Sequence, residues 1–321
     1  MTSPPVDPAA GYLNQALDAL TDTRSNMDAH SLDYQARDWD IVDYKMFDLA
    51  ELPGIKVRGP AFDPHGTDRY FTVMGAAQAF GAYVPRSFAD ILAEELKLNA
   101  LNLALGTAGP RFYSSRPQLL ALAARGRFLV LQVMSARAEP NSRFEAVGTI
   151  EMLRDARNGD IVNAVQAWNR IITEEPAKAR QYVAESRASW VNNCLKIIKS
   201  VTVPVVCLWI SNRRKGDPVD YQARSPGEFM GGFPQIVDDA AVAQVATRCA
   251  AFAECGFDRN AGHKLFSRFT GLPTEVDFGK LVGQPGGRKE AVNIYYPSAE
   301  QHEDTAVALL KAIATLGASC I

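Results

Sequence analysis

The sequence predicts an α/β fold in three layers, with a parallel sheet of about five strands covered by helices on both faces. Two observations carry this. Short, continuous apolar runs such as Phe128-Leu129-Val130-Leu131-Gln132-Val133-Met134 recur along the chain, and each is followed by residues at helical spacing. The chain is also long enough, at 321 residues with 47% hydrophobic and 22% charged, to bury a sizeable core.

Residues 1–60 are polar and read as an N-terminal arm that wraps the surface. Tyr12 to Leu20 is spaced for one short helix, Tyr34 to Leu52 is rich in Asp and aromatics, and Gly59-Pro60 closes the arm. Residues 61–321 then read as a single α/β domain. Strands are expected over 70–75, 100–105, 128–134, 203–210 and 291–296. Helices are expected over 87–98, 116–125, much of 160–200, 238–254 and 300–316. The segments at about 145–200, 212–235 and 258–290 read as helical and loop insertions, the last with Gly271-Leu272-Pro273 and Gly283-Gln284-Pro285-Gly286-Gly287.

Bulk composition narrows the function. A net charge of −2 gives no field that favours nucleic acid. Five cysteines without C-x-x-C spacing read as reduced thiols in a cytoplasm. The amino end has neither a basic region nor an apolar core, so no signal peptide is expected, and no run approaches the ~18 apolar residues of a membrane helix. No two His or Cys have metal-ligand spacing, so neither a metal nor another cofactor is expected.

In an open parallel sheet, ligands bind beyond the carboxyl ends of the strands. That rule gathers five loops. Gly75-Ala76-Ala77-Gln78 is a tight strand–turn–helix, the place where α/β enzymes put a nucleophile or a phosphate, yet it holds no Ser, Cys, Thr or Lys. Gly75 and Gly106 permit close backbone approach and would leave N–H groups free for a ligand. Gln78 and Asn141 can donate to an oxyanion. Arg137 and Arg213, with Arg214 beside it, bring forked donors for an anion. Tyr296 lines the last loop, and His302 opens the last helix with a side chain suited to proton transfer. Ser135, Ser114 and Ser115 are the hydroxyls near these ends.

The order of these loops resembles the SGNH, or GDSL-like, hydrolase superfamily. Gly75-Ala76-Ala77 falls on its Gly-Asp-Ser turn, and Asn102-Leu103-Ala104-Leu105-Gly106 on its Asn-x-Gly-x-x-Gly block. Asn141 falls on its oxyanion Asn, and Tyr295-Tyr296-Pro297-Ser298-Ala299-Glu300-Gln301-His302 on its Asp-x-x-His segment. The resemblance implies a flavodoxin-like sheet and an esterase-like site. Two of its catalytic residues are not matched: Ala77 stands for the nucleophilic Ser, and Ala299 for the Asp three before the His. Without that hydroxyl the acyl-enzyme route cannot start. The local sequence also resembles an uncharacterised bacterial family of unknown function.

Three functions follow as expectations. The first is an SGNH-like enzyme acting on an ester or hydroxylated, sugar-like substrate, with Gln78, Gly106 and Asn141 as oxyanion cradle and His302, or Ser135, as the catalytic group. The second is a transferase whose sulfuryl or phosphoryl donor is bound by Arg137 and Arg213. The third is a non-catalytic descendant that binds a ligand. The expected partner is a small molecule or saccharide with an anionic group.

Overall fold

The computed structural model describes residues 34–147, 150–211, 213, 215–216, 226–255, 262–277 and 289–317. The helix expected over Tyr12 to Leu20, Arg214, and the stretch Gly283 to Gly287 lie outside them. Five strands form one sheet: β1 (Tyr70–Met74), β2 (Asn99–Asn102), β3 (Leu129–Gln132), β4 (Val205–Ile210) and β5 (Ala251–Cys255). Their order is β5-β4-β3-β1-β2, and every neighbouring pair is parallel. This is the 2-1-3-4-5 order of a flavodoxin-like sheet, and it puts the topological switch point between β1 and β3.

The period-2 alternation of the strands splits the core. Phe71, Val73, Phe128, Val130, Val206, Leu208 and Ile210 pack on one face. Tyr70, Met74, Leu129, Leu131 and Val205 pack on the other. The first face is covered by α2 (Phe88–Leu96) and α8 (Ala299–Ala314). The second is covered by α3 (Pro110–Ser114), α4 (Pro117–Arg125), α6 (Ala179–Ser200) and α7 (Asp239–Ala246). The rings of Phe71 and Phe128 stack at 4.9 Å on the first face, each burial contributing about 1.5–3 kcal/mol.

The fifth strand is not the one expected. Ala251–Cys255 lies inside the helix expected over 238–254, because Ala250, Ala251, Ala253 and Glu254 are good helix formers. Pairing with β4 overrides that preference, since Ala253 and Cys255 face the core. Residues 291–296 carry β-branched and aromatic residues, but Val292, Ile294 and Tyr295 are exposed. Only Val292–Asn293 is extended, in an antiparallel pair with His263–Lys264.

Between β3 and β4 the chain builds a three-stranded antiparallel sheet of Phe144–Ala146, Met152–Asp155 and Ile161–Asn163. Helix α5 (Ala164–Glu174) follows, capped by Asn163 and Gln166. Pro176 separates it from α6. Thus the stretch 145–200 contains, in α6, the crossover helix that a parallel β3–β4 connection requires.

The described part of the arm is less polar inside than its sequence suggests. Ile41, Val42 and Tyr44 join the first core face, and Leu49, Leu52, Ile55 and Val57 the second. Arg58, 2% exposed, ties the arm to the turn after β1. Its guanidinium donates to the carbonyls of Phe80, Gly81, Val84 and Pro85 at 2.8–3.1 Å, and to Asp90 at 3.2 Å. Truncation would leave these acceptors buried without a donor. Arg58→Ala is therefore expected to lower unfolding free energy by at least about 3 kcal/mol, read as a shift in denaturant midpoint.

Candidate functional site at the carboxyl ends of the strands

The turn after β1 is held shut by its neighbours. The Gly75 N–H lies 3.3 Å from the Tyr113 hydroxyl oxygen, which is also 2.6 Å from the Gly75 carbonyl and 2.9 Å from that of Leu103. The Ala76 N–H donates to Gln132 Oε1 at 2.7 Å. A Cβ at Gly75 would stand 2.4 Å from Gln132 Oε1 and 2.6 Å from the Ala79 Cβ, so only glycine fits. The Gly75 N–H expected to face a ligand, and the Ala76 N–H after it, thus face partners inside the protein. Ala77 opens α1 (Ala77–Phe80) and is 6% exposed. Gln78 is also buried, and its Oε1 has no partner among the described residues.

Gly106, after β2, makes room for a side chain. A Cβ there would lie 2.4 Å from Tyr34 Oη. The Tyr34 hydroxyl therefore stands beside the glycine that the family resemblance assigns to an oxyanion. Thr107 follows in the left-handed region, at φ +63°, with its Oγ1 buried and unpartnered.

The third and fourth loops place their polar side chains in structural bonds. Asn141 Oδ1 accepts the N–H groups of Arg143 and Phe144, and its Nδ2 donates to Ser186 on α6. Asn141 is therefore a turn cap. The Ser135 hydroxyl accepts the Arg137 N–H and lies 3.4 Å from the Gln235 carbonyl. Arg213 donates to the carbonyls of Pro234 and Val237 at 3.0 and 2.8 Å and lies over the Trp209 ring. It holds the 234–237 segment down. Arg137 forms a buried ion pair with Glu151, from the turn of the three-stranded sheet, and Tyr295 and Tyr296 add to the electrostatic support of its charge. Burial pushes the Glu151 carboxyl up, and Arg137 opposes this.

His302 lies in the first turn of α8, fully buried, with its ring stacked on Phe88 at 5.8 Å. Its Nδ1 accepts the Phe88 N–H at 3.1 Å. That N–H belongs to the first turn of α2, whose next donors are served by the Ser87–Asp90 capping box. The bond assigns the ring proton to Nε2, which has no partner among the described residues. Burial, with Arg58 and His263 nearby, lowers the His302 pKa to about 3. His302 is thus a neutral helix cap, and nothing places it against Ala77.

The residues that do meet at the strand ends are tyrosines and arginines, several of them from the arm. Arg37 grips Asp38 through two bonds, and Asp38 also accepts the Tyr44 hydroxyl at 2.6 Å. The Arg37 guanidinium lies 4.6 Å from the Tyr34 ring centroid and 4.9 Å from that of Tyr83. Tyr34 is hydrogen-bonded to Tyr296. The Tyr83 and Tyr296 rings meet edge-on at 5.4 Å, and Tyr295 continues the row at 40% exposure. Burial pushes the hydroxyls of Tyr34, Tyr83 and Tyr296 up, so all three are neutral. The Tyr83 hydroxyl is buried without a partner among the described residues.

Of the sequence-predicted residues, the structure brings Gly106, Arg137 and Tyr296 to this cluster. It closes Gly75, Ala76, Ala77 and Gln78 into a buried turn and turns Asn141, Ser135, Arg213 and His302 to other work. Tyr34, Arg37, Tyr83, Glu151 and Tyr295 were not foreseen. One signal was available: Asn293-x-x-Tyr296 has the Asp-x-x-His spacing, and Asn293 Oδ1 accepts the N–H groups of Tyr295 and Tyr296 to aim them.

A family model described as a domain of unknown function, DUF6473, matches residues 32–148. No curated protein matches the chain. Among solved structures, the chain is similar to a family 2 carbohydrate esterase with a carbohydrate-binding domain from Corynascus thermopiles (Myceliophthora fergusii). The identity is 13% and the TM-score 0.37, over 83% of this chain and 70% of that one. A family two carbohydrate esterase from Clostridium thermocellum, in complex with cellohexaose, aligns at 10% identity and TM-score 0.40, over 81% and 67%. An acetyl xylan esterase, Est2A, from the rumen bacterium Butyrivibrio proteoclasticus aligns at 9% and 0.36, over 83% and 67%.

The His302 cap makes stability depend on pH. The unfolded chain takes up a proton near the ordinary pKa of 6.5, whereas the folded chain does so only near 3. The unfolded state therefore binds more protons between these values, and stability falls as pH drops from 6.5 toward 3, by up to about 1.4 kcal/mol per pH unit. Urea midpoints at stepped pH are expected to show this decline, and His302→Gln to flatten it.

Proposed function

We propose that this protein binds a small, hydroxylated, anionic ligand, saccharide-like in its polar groups, at the carboxyl ends of β1–β3, and that it does so without covalent catalysis. The observation that carries this reading is a set of orphaned polar atoms on the segments that follow β1 and β2. Gln78 Oε1, Tyr83 Oη and Thr107 Oγ1 are all buried and unpartnered among the described residues. Each such atom costs about 1–3 kcal/mol when nothing satisfies it. A ligand rich in hydroxyls supplies both donors and acceptors to them. Arg137 favours a negative group on that ligand, and the half-buried Tyr296 and exposed Tyr295 offer ring faces to its apolar side.

The catalytic alternatives draw less support. Ala77 has no nucleophilic atom, His302 is committed to α2, and Arg213 is committed to backbone carbonyls. A serine-reactive fluorophosphonate is accordingly expected to leave the protein unlabelled; stoichiometric label at Ser135 would overturn the non-covalent reading.

Tyr83→Phe separates binding from folding. Removing the orphaned hydroxyl is expected to raise the melting temperature of the ligand-free protein. It should also weaken a hexuronate such as glucuronate about tenfold, the equivalent of one hydrogen bond of about 1.4 kcal/mol. Thermal shift across glucuronate, glucose and acetate reads the class, with glucuronate expected to stabilise most. Equal response to all three counts against the proposal.

A further inference from the structure

We propose that His263 is a positioning residue that couples pH to the strand-end site: its neutral ring lets Asn293 aim Tyr295 and Tyr296, and its protonated ring releases them. The consequence for binding rests on the ligand reading above; the switch itself does not.

The hydrogen bonds of Asn293 decide which form of His263 the fold holds. Asn293 Oδ1 accepts the N–H groups of Tyr295 and Tyr296 at 3.0 and 2.9 Å. Two N–H donors identify that atom as the oxygen, so the orientation of the amide is set. Nδ2 donates to the Tyr296 carbonyl at 2.9 Å and meets His263 Nε2 at 3.3 Å. An amide nitrogen has only protons to offer, so His263 Nε2 is the acceptor and the single ring proton sits on Nδ1. Nδ1 is buried and has no partner among the described residues. Asn293 is 2% exposed, so little water is at hand to replace a lost bond.

The backbone fixes this meeting. His263 stands directly opposite Asn293 in the antiparallel pair of His263–Lys264 with Val292–Asn293, and the Leu265 N–H donates to the Ala291 carbonyl at 2.9 Å. The ring row depends on the same amide. Tyr295 and Tyr296 meet edge-on at 5.0 Å, and Tyr296 meets Tyr83 at 5.4 Å.

A second proton has only Nε2 to go to. It turns the acceptor into a donor that faces the Nδ2 protons of Asn293. The amide then rotates, which sets its protons against the N–H groups of Tyr295 and Tyr296, or it withdraws. Either response breaks the turn that aims the two rings. Among the described residues, the charged and titratable groups that act on His263 lie on α8: Glu300 favours the cation, and His302 is neutral. Lys264, next along the strand, is exposed and points to the opposite face, and Val292 brings no charge. Burial lowers the His263 pKa from its ordinary 6.5, and Glu300 opposes this. The aimed state is therefore present at neutral pH and is lost as pH falls below 6.5.

The test follows the intact protein from about pH 7.5 to about pH 5. Residue-resolved NMR reads the titration of the His263 ring and the exchange protection of the Tyr295 and Tyr296 amides, corrected for the intrinsic pH dependence of exchange. The expected result is one shared midpoint, with protection falling about tenfold below it, the equivalent of one hydrogen bond. In His263→Gln, which has no ring to titrate, protection should stay level. The proposal is overturned if the two wild-type midpoints differ, if the ring stays neutral until the protein unfolds, or if protection holds while the ring charges. A loss that persists in His263→Gln overturns it equally. The two wild-type midpoints decide, so a variant that fails to fold does not obscure the outcome. Glucuronate, ionised throughout this range, should bind the wild type about tenfold more weakly at the lower pH and the variant equally at both. Exchange as expected with no glucuronate binding at either pH would overturn the ligand reading and leave the switch standing. Binding with level exchange would overturn the switch alone.

Discussion

The wall of the site hangs on the contact between Arg37 and Asp38. Asp38 is wholly buried, and a carboxylate taken out of water is tolerated only when its charge is matched and its oxygens are bonded. Arg37 supplies the matching fork and Tyr44 a third donor. That same Tyr44 hydroxyl accepts the Tyr83 N–H at 3.0 Å, so one oxygen pins both the arm and the loop after α1. The Arg37 plane then sets Tyr34 and Tyr83 around it, and Tyr34 reaches Gly106 and Tyr296. Breaking the pair would leave one charge buried and unmatched and would loosen every ring that depends on it.

A second chain of bonds organises the opposite side of β1. Arg58 holds the carbonyls of the 80–85 loop and reaches Asp90, Asp90 and Ser87 cap α2, and His302 takes the remaining Phe88 N–H from the last helix. These bonds run from the arm through the first crossover helix to α8, the last described helix. A charged imidazole in this position would face Arg58 and lose its acceptor lone pair, so the neutral form is required by the architecture as well as by burial.

Most of the fold was legible because it is written in local pattern. Four of the five strands and helices α2, α4 and α8 follow from runs and spacing that no distant contact contradicts. The fifth strand was not, because Ala251-Phe252-Ala253-Glu254-Cys255 prefers a helix and is extended only where β4 offers it a partner. The site was legible in position and much less so in membership. Strand-end loops named Arg137, Gly106 and Tyr296, but Asn141, Arg213 and His302 belong to residue types that cap turns and helices as readily as they bind ligands. Arg213 is claimed by acceptors at 234–237 and His302 by the donor at 88, far away in sequence, while Asn141 is claimed by the donors at 143–144 beside it. Tyr34 and Arg37 were hidden for another reason. The arm reads as polar from composition, and Arg37 sits in a buried ion pair with Asp38 that no periodicity announces.

The alanine at position 77 and the hydroxyl beside Gly106 support the proposed binding reading together. A serine at position 77 would need an acceptor for its proton and an open oxyanion position beside Gly106. The Tyr34 hydroxyl stands at that glycine, so an oxyanion and Tyr34 compete for the same space. Tyr296 occupies the third place after Asn293 and bears a neutral hydroxyl, held so by burial, which can donate or accept a hydrogen bond but is a poor base at neutral pH. Tyr34 and Tyr296 each add a fixed polar contact. The resulting surface, with neutral hydroxyls around one buried arginine, is suited to holding a polar molecule in one orientation. It is poorly suited to stabilising charge that appears only during a reaction. That difference favours the proposed binding reading over a catalytic one.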